Sequence, residues 1–322
     1  MNDPQSPICR LYSRLAERTH SQNLRNRVHI ELETRITPLE WAELQRHSET
    51  LRADDAFLAS WLQTLSPMMG LSGKPRTEPF ERRRLAPGVM LYAKGQTADA
   101  RKRSLVVCFT GRQRRMMMAA PVFLQHLDAR VVDVVLVRCP RDGLYANGLP
   151  GLALDMPSLF EQVALIAGAD RYARVVTMGT SAGAIPSLLF GLRHGCKAVL
   201  AVGIGAVDEP SGRSPDRGLE ALARQFGRLG LRRTRVFLMH GADDSRDAGT
   251  TEAWASLVRA LRLPVSSASG KVGHGALWPI AQAGQLSAIL GAILLRGGPT
   301  LFRLQLWLAA ARPKPLFKLR VR

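Results

Sequence analysis

The stretch VVTMGTSAGAIPSLLFGL, residues 175–192, passes from a run of β-branched and apolar residues into a helical pattern. One hydroxyl, that of Ser181, lies at the junction, with Gly179 and Gly183 two positions away on either side. A sharp strand-to-helix turn strains the backbone at its apex and brings the neighbouring segments so close that flanking side chains would clash, which glycine avoids. The pattern therefore predicts a tight turn that presents the serine hydroxyl, with the N–H groups of the following helix directed toward it.

Strand-like apolar runs alternate with helical patterns on both sides of this junction. We predict strands over residues 88–94, 104–111, 131–138, 174–179, 198–205, 235–241 and 264–269. Helical patterns cover about 116–129, 157–169, 182–194, 248–262 and 275–295. Near-continuous apolar strands are typical of parallel sheets that are buried on both faces. The predicted fold class is α/β, a mostly parallel sheet with helices on both faces, whose ligands should bind at the carboxyl ends of the strands.

The sequence Gly179-x-Ser181-x-Gly183 between a strand and a helix resembles the nucleophile elbow of the α/β-hydrolase superfamily. The resemblance covers about residues 85–295. It implies a serine nucleophile followed along the chain by an acid and then a histidine, with no metal and no organic cofactor. His274 satisfies that order, because it follows the last predicted strand in the glycine-rich segment GKVGHGALWPI. His240 ends a strand and precedes every suitable acid.

The acid of the implied triad is sought in MHGADDSRDAG, residues 239–249, which carries Asp243, Asp244 and Asp247 directly after a predicted strand. The superfamily pattern H-G-x-x-D implies Asp244 as the acid. A slip of one residue in the loop would make Asp243 the acid, and it is kept as the alternative.

The resemblance also implies an oxyanion hole built from the backbone N–H groups of Ala182 and Arg112. The superfamily usually has His-Gly in the second loop, and this chain has Thr110-Gly111, which leaves the second donor open. Arg112, Arg114 and Arg115 follow, and guanidinium groups beside a serine nucleophile favour a substrate with a carboxylate, phosphate or sulfate. The alternative is that these arginines point outward from the first turn of a helix.

Composition divides the chain into three parts. Residues 1–80 are predicted to be a helical N-terminal extension and linker, in which Thr37-Pro38-Leu39-Glu40 is a good helix start. The linker-like composition covers residues 70–84 and so crosses this boundary. Residues 81–298 form the predicted catalytic domain, with a short cap at about 206–233. Residues 299–322 are a basic amphipathic C-terminal tail.

The net charge of +19 favours anionic partners, although the same charge could be spread over a solvated surface. No zinc-finger spacing, RNP-like motif or helix-turn-helix pairing is present, so we predict no specific nucleic-acid binding. The 299–322 tail predicts peripheral contact with a membrane. The four cysteines are far apart and predict neither a disulfide framework nor a metal site, and the polar N-terminus has no apolar segment. These features predict a cytoplasmic protein.

Together, the motifs favour a serine hydrolase or acyltransferase that acts on a small-molecule or glycan ester, with an anionic substrate preferred. The alternative is a binding or scaffold protein that keeps the fold without the chemistry.

Overall fold

A computed structural model describes residues 6–19, 21–47, 56–71, 79–95, 99–140, 145–205, 217–230, 234–267 and 271–295. The strands are β1 (Glu81–Ala86), β2 (Val89–Ala93), β3 (Ser104–Phe109), β4 (Val132–Val137), β5 (Arg174–Thr180), β6 (Ala198–Val202), β7 (Arg235–Gly241) and β8 (Leu261–Val265). The helices are α1 (Pro7–Glu17), α2 (Gln22–Glu33), α3 (Pro38–Arg46), α4 (Ala56–Met69), α5 (Ala120–Leu124), α6 (Met156–Ile166), α7 (Ala184–Arg193), α8 (Arg217–Gly230), α9 (Ser245–Val258), α10 (Leu277–Gln282) and α11 (Leu286–Leu290).

The eight strands form one sheet in the order β1-β2-β4-β3-β5-β6-β7-β8. Strand β2 runs antiparallel to both of its neighbours, and every pair from β4 to β8 is parallel. Every residue of β4 and β6 is buried, as expected for strands covered on both faces. The predicted α/β fold class, a mostly parallel sheet with helices on both faces, is confirmed.

Two apolar cores lie on opposite faces of the sheet. Helices α6, α7, α8 and α9 cover one face. Helices α5, α10 and α11 cover the other, together with α1 to α4. The helical N-terminal extension is therefore present, and it shares a continuous core with the sheet.

The start of α3 shows how local sequence fixes these N-terminal helices. The Thr37 hydroxyl accepts the Glu40 N–H at 3.1 Å, and the Glu40 carboxylate accepts the Thr37 N–H at 2.9 Å. This reciprocal cap satisfies two N–H groups that the helix itself cannot bond. The carboxylate of Glu40 also accepts from Arg82 of β1 at 2.7 Å, so the same residue joins the extension to the sheet.

The predicted linker and the last predicted strand are corrected by the structure. Residues 81–84 of the linker belong to β1, which pairs with β2 at the edge of the sheet, while residues 72–78 lie outside the described ranges. The strand predicted over 264–269 begins earlier, as β8 at Leu261, because α9 ends at Val258 and Arg259 adopts a left-handed conformation with φ of +51°.

Two predicted helices are shorter than the sequence suggests. The helix expected over 116–129 is confined to α5, because Met117 has φ of +61° and Pro121 lies in the first turn. The helix expected over 275–295 is interrupted between α10 and α11, where Gly284 has φ of +68°.

The predicted cap and tail lie partly or wholly beyond the described ranges. Of the cap at 206–233, the structure describes α8, which packs against α7 and α9 and buries Ala223 and Phe226. The tail at 299–322 lies outside the described residues, as does its predicted membrane contact. Among the described helices, none combines the length and apolarity needed to cross a bilayer.

Candidate active site

Ser181 occupies a tight turn at the carboxyl end of β5. Its backbone has φ of +52°, and residues Ser181–Gly183 form a single 3₁₀ turn that leads into α7. Left-handed backbone is strained for a residue other than glycine, and it persists only where the surroundings enforce it. A Cβ on Gly179 would overlap the carbonyl oxygen of Gly183, and a Cβ on Gly183 would overlap that of Phe109. The two glycines thus allow the close approach that holds Ser181 in its strained conformation.

His274 and Asp247 form a hydrogen-bonded pair at the same edge of the sheet. His274 Nδ1 lies 2.7 Å from Asp247 Oδ2. The aspartate side chain is 3% exposed and the histidine side chain 47% exposed. The hydrogen bond to Asp247 raises the pKa of His274 above its ordinary value; burial opposes that shift, and the charges of Asp247 and Asp244 add to it. A carboxylate on Nδ1 fixes the tautomer in which Nε2 accepts a proton.

The carboxylate that contacts His274 differs from the one that the sequence indicated. Asp244 is the N-cap of α9, and its Oδ1 accepts the Asp247 N–H at 3.0 Å. Because α9 begins at Ser245, its first turn brings Asp247 to the histidine. The alternative acid, Asp243, instead accepts the N–H groups of Val272 at 2.8 Å and Gly273 at 3.0 Å. It thereby ties the loop that carries His274 to the end of β7.

The donor atoms of Asp244, Asp247 and His274 lie within 4.8 Å of one another, the spacing of a metal cluster. Hydrogen bonds already account for this arrangement, since Asp244 caps the helix and Asp247 bonds the imidazole. The sequence predicts no metal here, and the cluster does not require one.

Ser181, His274 and Asp247 line one cavity of about 670 Å³. Ala182 and Arg112, whose N–H groups were predicted for the oxyanion hole, line it too. The loop after β3 runs against the serine, since a Cβ on Gly111 would lie 3.3 Å from Ser181 Cβ. This loop is held by its own hydrogen bonds, from the Gly111 N–H to the Arg115 carbonyl at 2.9 Å and from the Arg114 N–H to the Gly111 carbonyl at 2.8 Å.

The structure separates the three arginines predicted to bind substrate. Arg112 and Arg115 line the cavity, and Arg114 does not. Arg114 Nη1 lies 3.6 Å from Glu31 Oε2, and Arg115 Nη2 lies 2.5 Å from Glu33 Oε2. Both glutamates belong to α2. The extension thus holds two of these guanidinium groups, and Arg114 lies outside the cavity that contains Ser181.

The cavity also contains residues that sequence reasoning missed. Arg246, in the first turn of α9, lines the wall, and Met117, Met156, Ile185 and Leu219 form an apolar side. Arg246 directly precedes Asp247 in the chain. Identification of Asp247 as the partner of His274 would therefore also have indicated Arg246. The four apolar residues come from separate elements and share no sequence signal.

No protein-family model matches the chain, and no curated protein matches its sequence. Among solved structures, the chain is similar to TT1662 from Thermus thermophilus, with 19% identity and a TM-score of 0.44 over 68% of this chain and 98% of that one. It is similar to an esterase of Pyrobaculum calidifontis, with 15% identity and a TM-score of 0.45 over 74% of this chain and 91% of that one. It is also similar to a thioesterase domain from the curacin biosynthetic pathway, with 11% identity and a TM-score of 0.44 over 67% of this chain and 99% of that one.

Proposed function

We propose that the protein is a serine hydrolase that cleaves an acyl ester through a covalent acyl-enzyme on Ser181. The observation that carries this proposal is a serine in a strained turn that lines the same cavity as a hydrogen-bonded histidine–aspartate pair. A serine hydroxyl is a weak nucleophile until an oriented base removes its proton, and the second part of the constellation supplies that base.

In the proposed reaction, Ser181 Oγ attacks the ester carbonyl carbon while His274 Nε2 takes the hydroxyl proton. Asp247 stabilises the imidazolium that forms, because its carboxylate bonds the other ring nitrogen at 2.7 Å. The N–H groups of Ala182 and Arg112 stabilise the negative oxygen of the tetrahedral intermediate. Collapse of that intermediate breaks the ester C–O bond, and the alcohol leaves with the proton from His274.

Water then completes the cycle. His274 Nε2 removes a proton from a water molecule, whose oxygen attacks the acyl carbon, and Ser181 leaves with that proton as the acid product forms. The His274 side chain is 47% exposed, which allows water to approach the base.

The cavity wall supports an amphipathic ester as substrate. Met117, Met156 and Ile185 provide apolar surface for an acyl chain. Arg112, Arg115 and Arg246 provide positive charge for a carboxylate, phosphate or sulfate on the same molecule. A small metabolite or an acidic glycan that carries an acyl ester has both properties.

A fluorophosphonate probe tests the proposal, because it labels only a serine that acts as a nucleophile. We expect the wild-type protein to be labelled and Ser181→Ala to be unlabelled, with ester turnover reduced on the order of 10⁴-fold or more. Ser245→Ala, an exposed serine at the start of α9, is the matched control and should be labelled like wild type. A wild-type protein that is folded but never labelled would instead support the non-catalytic binding protein.

A further inference from the structure

A second cavity of about 840 Å³ lies beside the first, between α1, α2 and the loop after β3. Arg27, Glu31 and Arg35 line it on the side of the extension, and Arg112, Gln113 and Arg114 line it on the side of the loop. Arg112 and Gln113 line both cavities. The two spaces are thus separated by a single stretch of chain.

Positive charge dominates this second cavity around one carboxylate. Glu31 Oε1 lies 2.6 Å from Arg138 Nη1 and 3.5 Å from Arg35 Nη2, and Glu31 Oε2 lies 3.6 Å from Arg114 Nη1. Burial raises the pKa of Glu31, but the hydrogen bond from Arg138 and the three positive charges outweigh burial and hold it below its usual value. Three guanidinium groups therefore surround one ionised carboxylate.

Only one of these three contacts is tight. The Arg138 contact has the length of a charge-assisted hydrogen bond, whereas the contacts of Arg35 and Arg114 with Glu31 exceed hydrogen-bond distance. An incoming anion can therefore bind Arg35 and Arg114 without breaking a hydrogen bond between either residue and Glu31.

Arg35 is a poorly compensated cation in this group. Its side chain is 34% exposed, and its Nε is buried with no hydrogen-bond partner in the described part of the chain. Burial lowers the pKa of Arg35; Glu31 opposes that shift, and the charges of Arg138 and Arg82 add to it. A partly buried charge without full compensation is unfavourable, and a bound anion relieves that cost.

We propose that this second cavity is an oxyanion-binding site, in which Arg35 and Arg114 bind a phosphate, sulfate or carboxylate group. Leu15, Leu24 and Val28 also line the space, so an apolar portion of the ligand has a surface to contact. The anion is either an independent ligand or the charged end of a substrate whose ester lies in the first cavity. The second case rests on the proposed function.

Titration of inorganic pyrophosphate, followed by calorimetry in a buffer without polyvalent anions, tests the site. We expect the wild-type protein to bind pyrophosphate and the affinity of Arg35→Gln/Arg114→Gln to fall at least tenfold. The matched control is Arg130→Gln/Arg224→Gln, which removes the same charge from side chains that are 63% and 66% exposed. This control should bind like wild type. Equal affinities of the two double variants, or no binding to wild type, would overturn the proposal.

Three further measurements separate the remaining outcomes. A lower melting temperature of Arg35→Gln/Arg114→Gln would show that the double variant is destabilised, and the single variant Arg114→Gln then replaces it. We expect Arg114→Gln to bind pyrophosphate more weakly than wild type, and unchanged binding would overturn the proposal. Ser181→Ala should bind pyrophosphate like wild type, so this measurement tests the oxyanion site independently of the proposed hydrolase activity. With the active enzyme, competitive inhibition confined to an anionic ester would assign the site to the substrate's own anion. A changed kcat for a neutral ester would assign it to an independent ligand.

Discussion

Replacement of Asp247 by asparagine removes the charge beside His274 while it keeps the size of the side chain. The wild-type contact joins Nδ1 and Oδ2 at 2.7 Å, with the aspartate 3% exposed. Hydrogen bonds to charged groups contribute about 1.5–3 kcal/mol, and each 1.4 kcal/mol is a factor of about ten in rate. Because the imidazole is half exposed, water screens its charge, and we place the contribution of the Asp247–His274 hydrogen bond near the lower end of that range.

Loss of the tautomer adds to this cost. An asparagine can donate its NH₂ group to Nδ1, which leaves the proton on Nε2, where it blocks acceptance of the serine proton. Substitution of the aspartate of a serine-protease triad by asparagine lowers kcat by about 10⁴ for this reason. We expect Asp247→Asn to lower kcat by about 10²–10⁴, with KM little changed.

Steady-state hydrolysis of a chromogenic ester measures this loss, and Asp244→Asn is the matched control. Asparagine caps a helix about as well as aspartate, so this variant should fold normally and lose less than about tenfold in kcat. A larger loss in Asp244→Asn than in Asp247→Asn would refute the assignment of the acid drawn from the His274 contact.

The pH profile of the same two variants provides a second readout. His274 must be neutral to accept the serine proton, so activity should fall as pH decreases through its pKa, which the hydrogen bond to Asp247 raises above its ordinary value. Removal of the main cause of that shift should move the acidic limb of kcat/KM to lower pH in Asp247→Asn. Asp244→Asn should move it less, because Asp244 contributes only through its charge. An acidic limb at the wild-type position in Asp247→Asn would contradict this account of the base.

Three further predictions concern the surroundings of the site. Gly183→Ala should lose about 1–3 kcal/mol in the free energy of unfolding, measured with denaturant, because the added Cβ would overlap the Phe109 carbonyl. The control Gly249→Ala, with open space around it in α9, should gain about 0.5–1 kcal/mol. Equal effects of the two substitutions would show that the turn at Ser181 is not tight. Glu33→Ala should lose about 1–3 kcal/mol in the same measurement, because it leaves Arg115 and the Trp61 indole N–H without their buried partner, and an unchanged midpoint would contradict that role. The kcat/KM for an anionic ester should fall as salt increases, since screening weakens attraction by a net charge of +19, while a matched neutral ester should not respond.

The sheet was predictable where burial on both faces imposes an apolar sequence. β4, VDVVLV, and β6, AVLAV, are of this kind; the sequence predicts β4 to within one residue at each end and β6 to within three residues at its end. The first four residues of β1, ERRRLA, have a linker-like composition because β1 is an edge strand, where charged side chains prevent unwanted pairing and remove the apolar pattern. Its three arginines are typical of such an edge and carry no periodicity.

The site was predictable to the extent that it depends on local sequence. Gly179 and Gly183 determine the turn at Ser181 within five residues, so the sequence motif alone locates this turn. The identity of the carboxylate beside His274 depends on where α9 begins, because Asp244 serves as the N-cap and Asp247 lies in the first turn. The roles of Arg114 and Arg115 depend on glutamates about eighty positions earlier, a relation that only the folded chain reveals.

The ion pair of Glu31 with Arg138 also has a consequence for folding during synthesis on the ribosome. The two residues are 107 positions apart in the chain. At about 5–20 residues per second, a ribosome adds Arg138 roughly 5–20 s after Glu31. Throughout that interval the sheet that covers helices α1 to α4 is incomplete, so part of the apolar surface of these helices is exposed. Chaperones bind exposed apolar surface on a nascent chain, and the same surface promotes aggregation, so helices α1 to α4 are vulnerable at least until β4 has been synthesised.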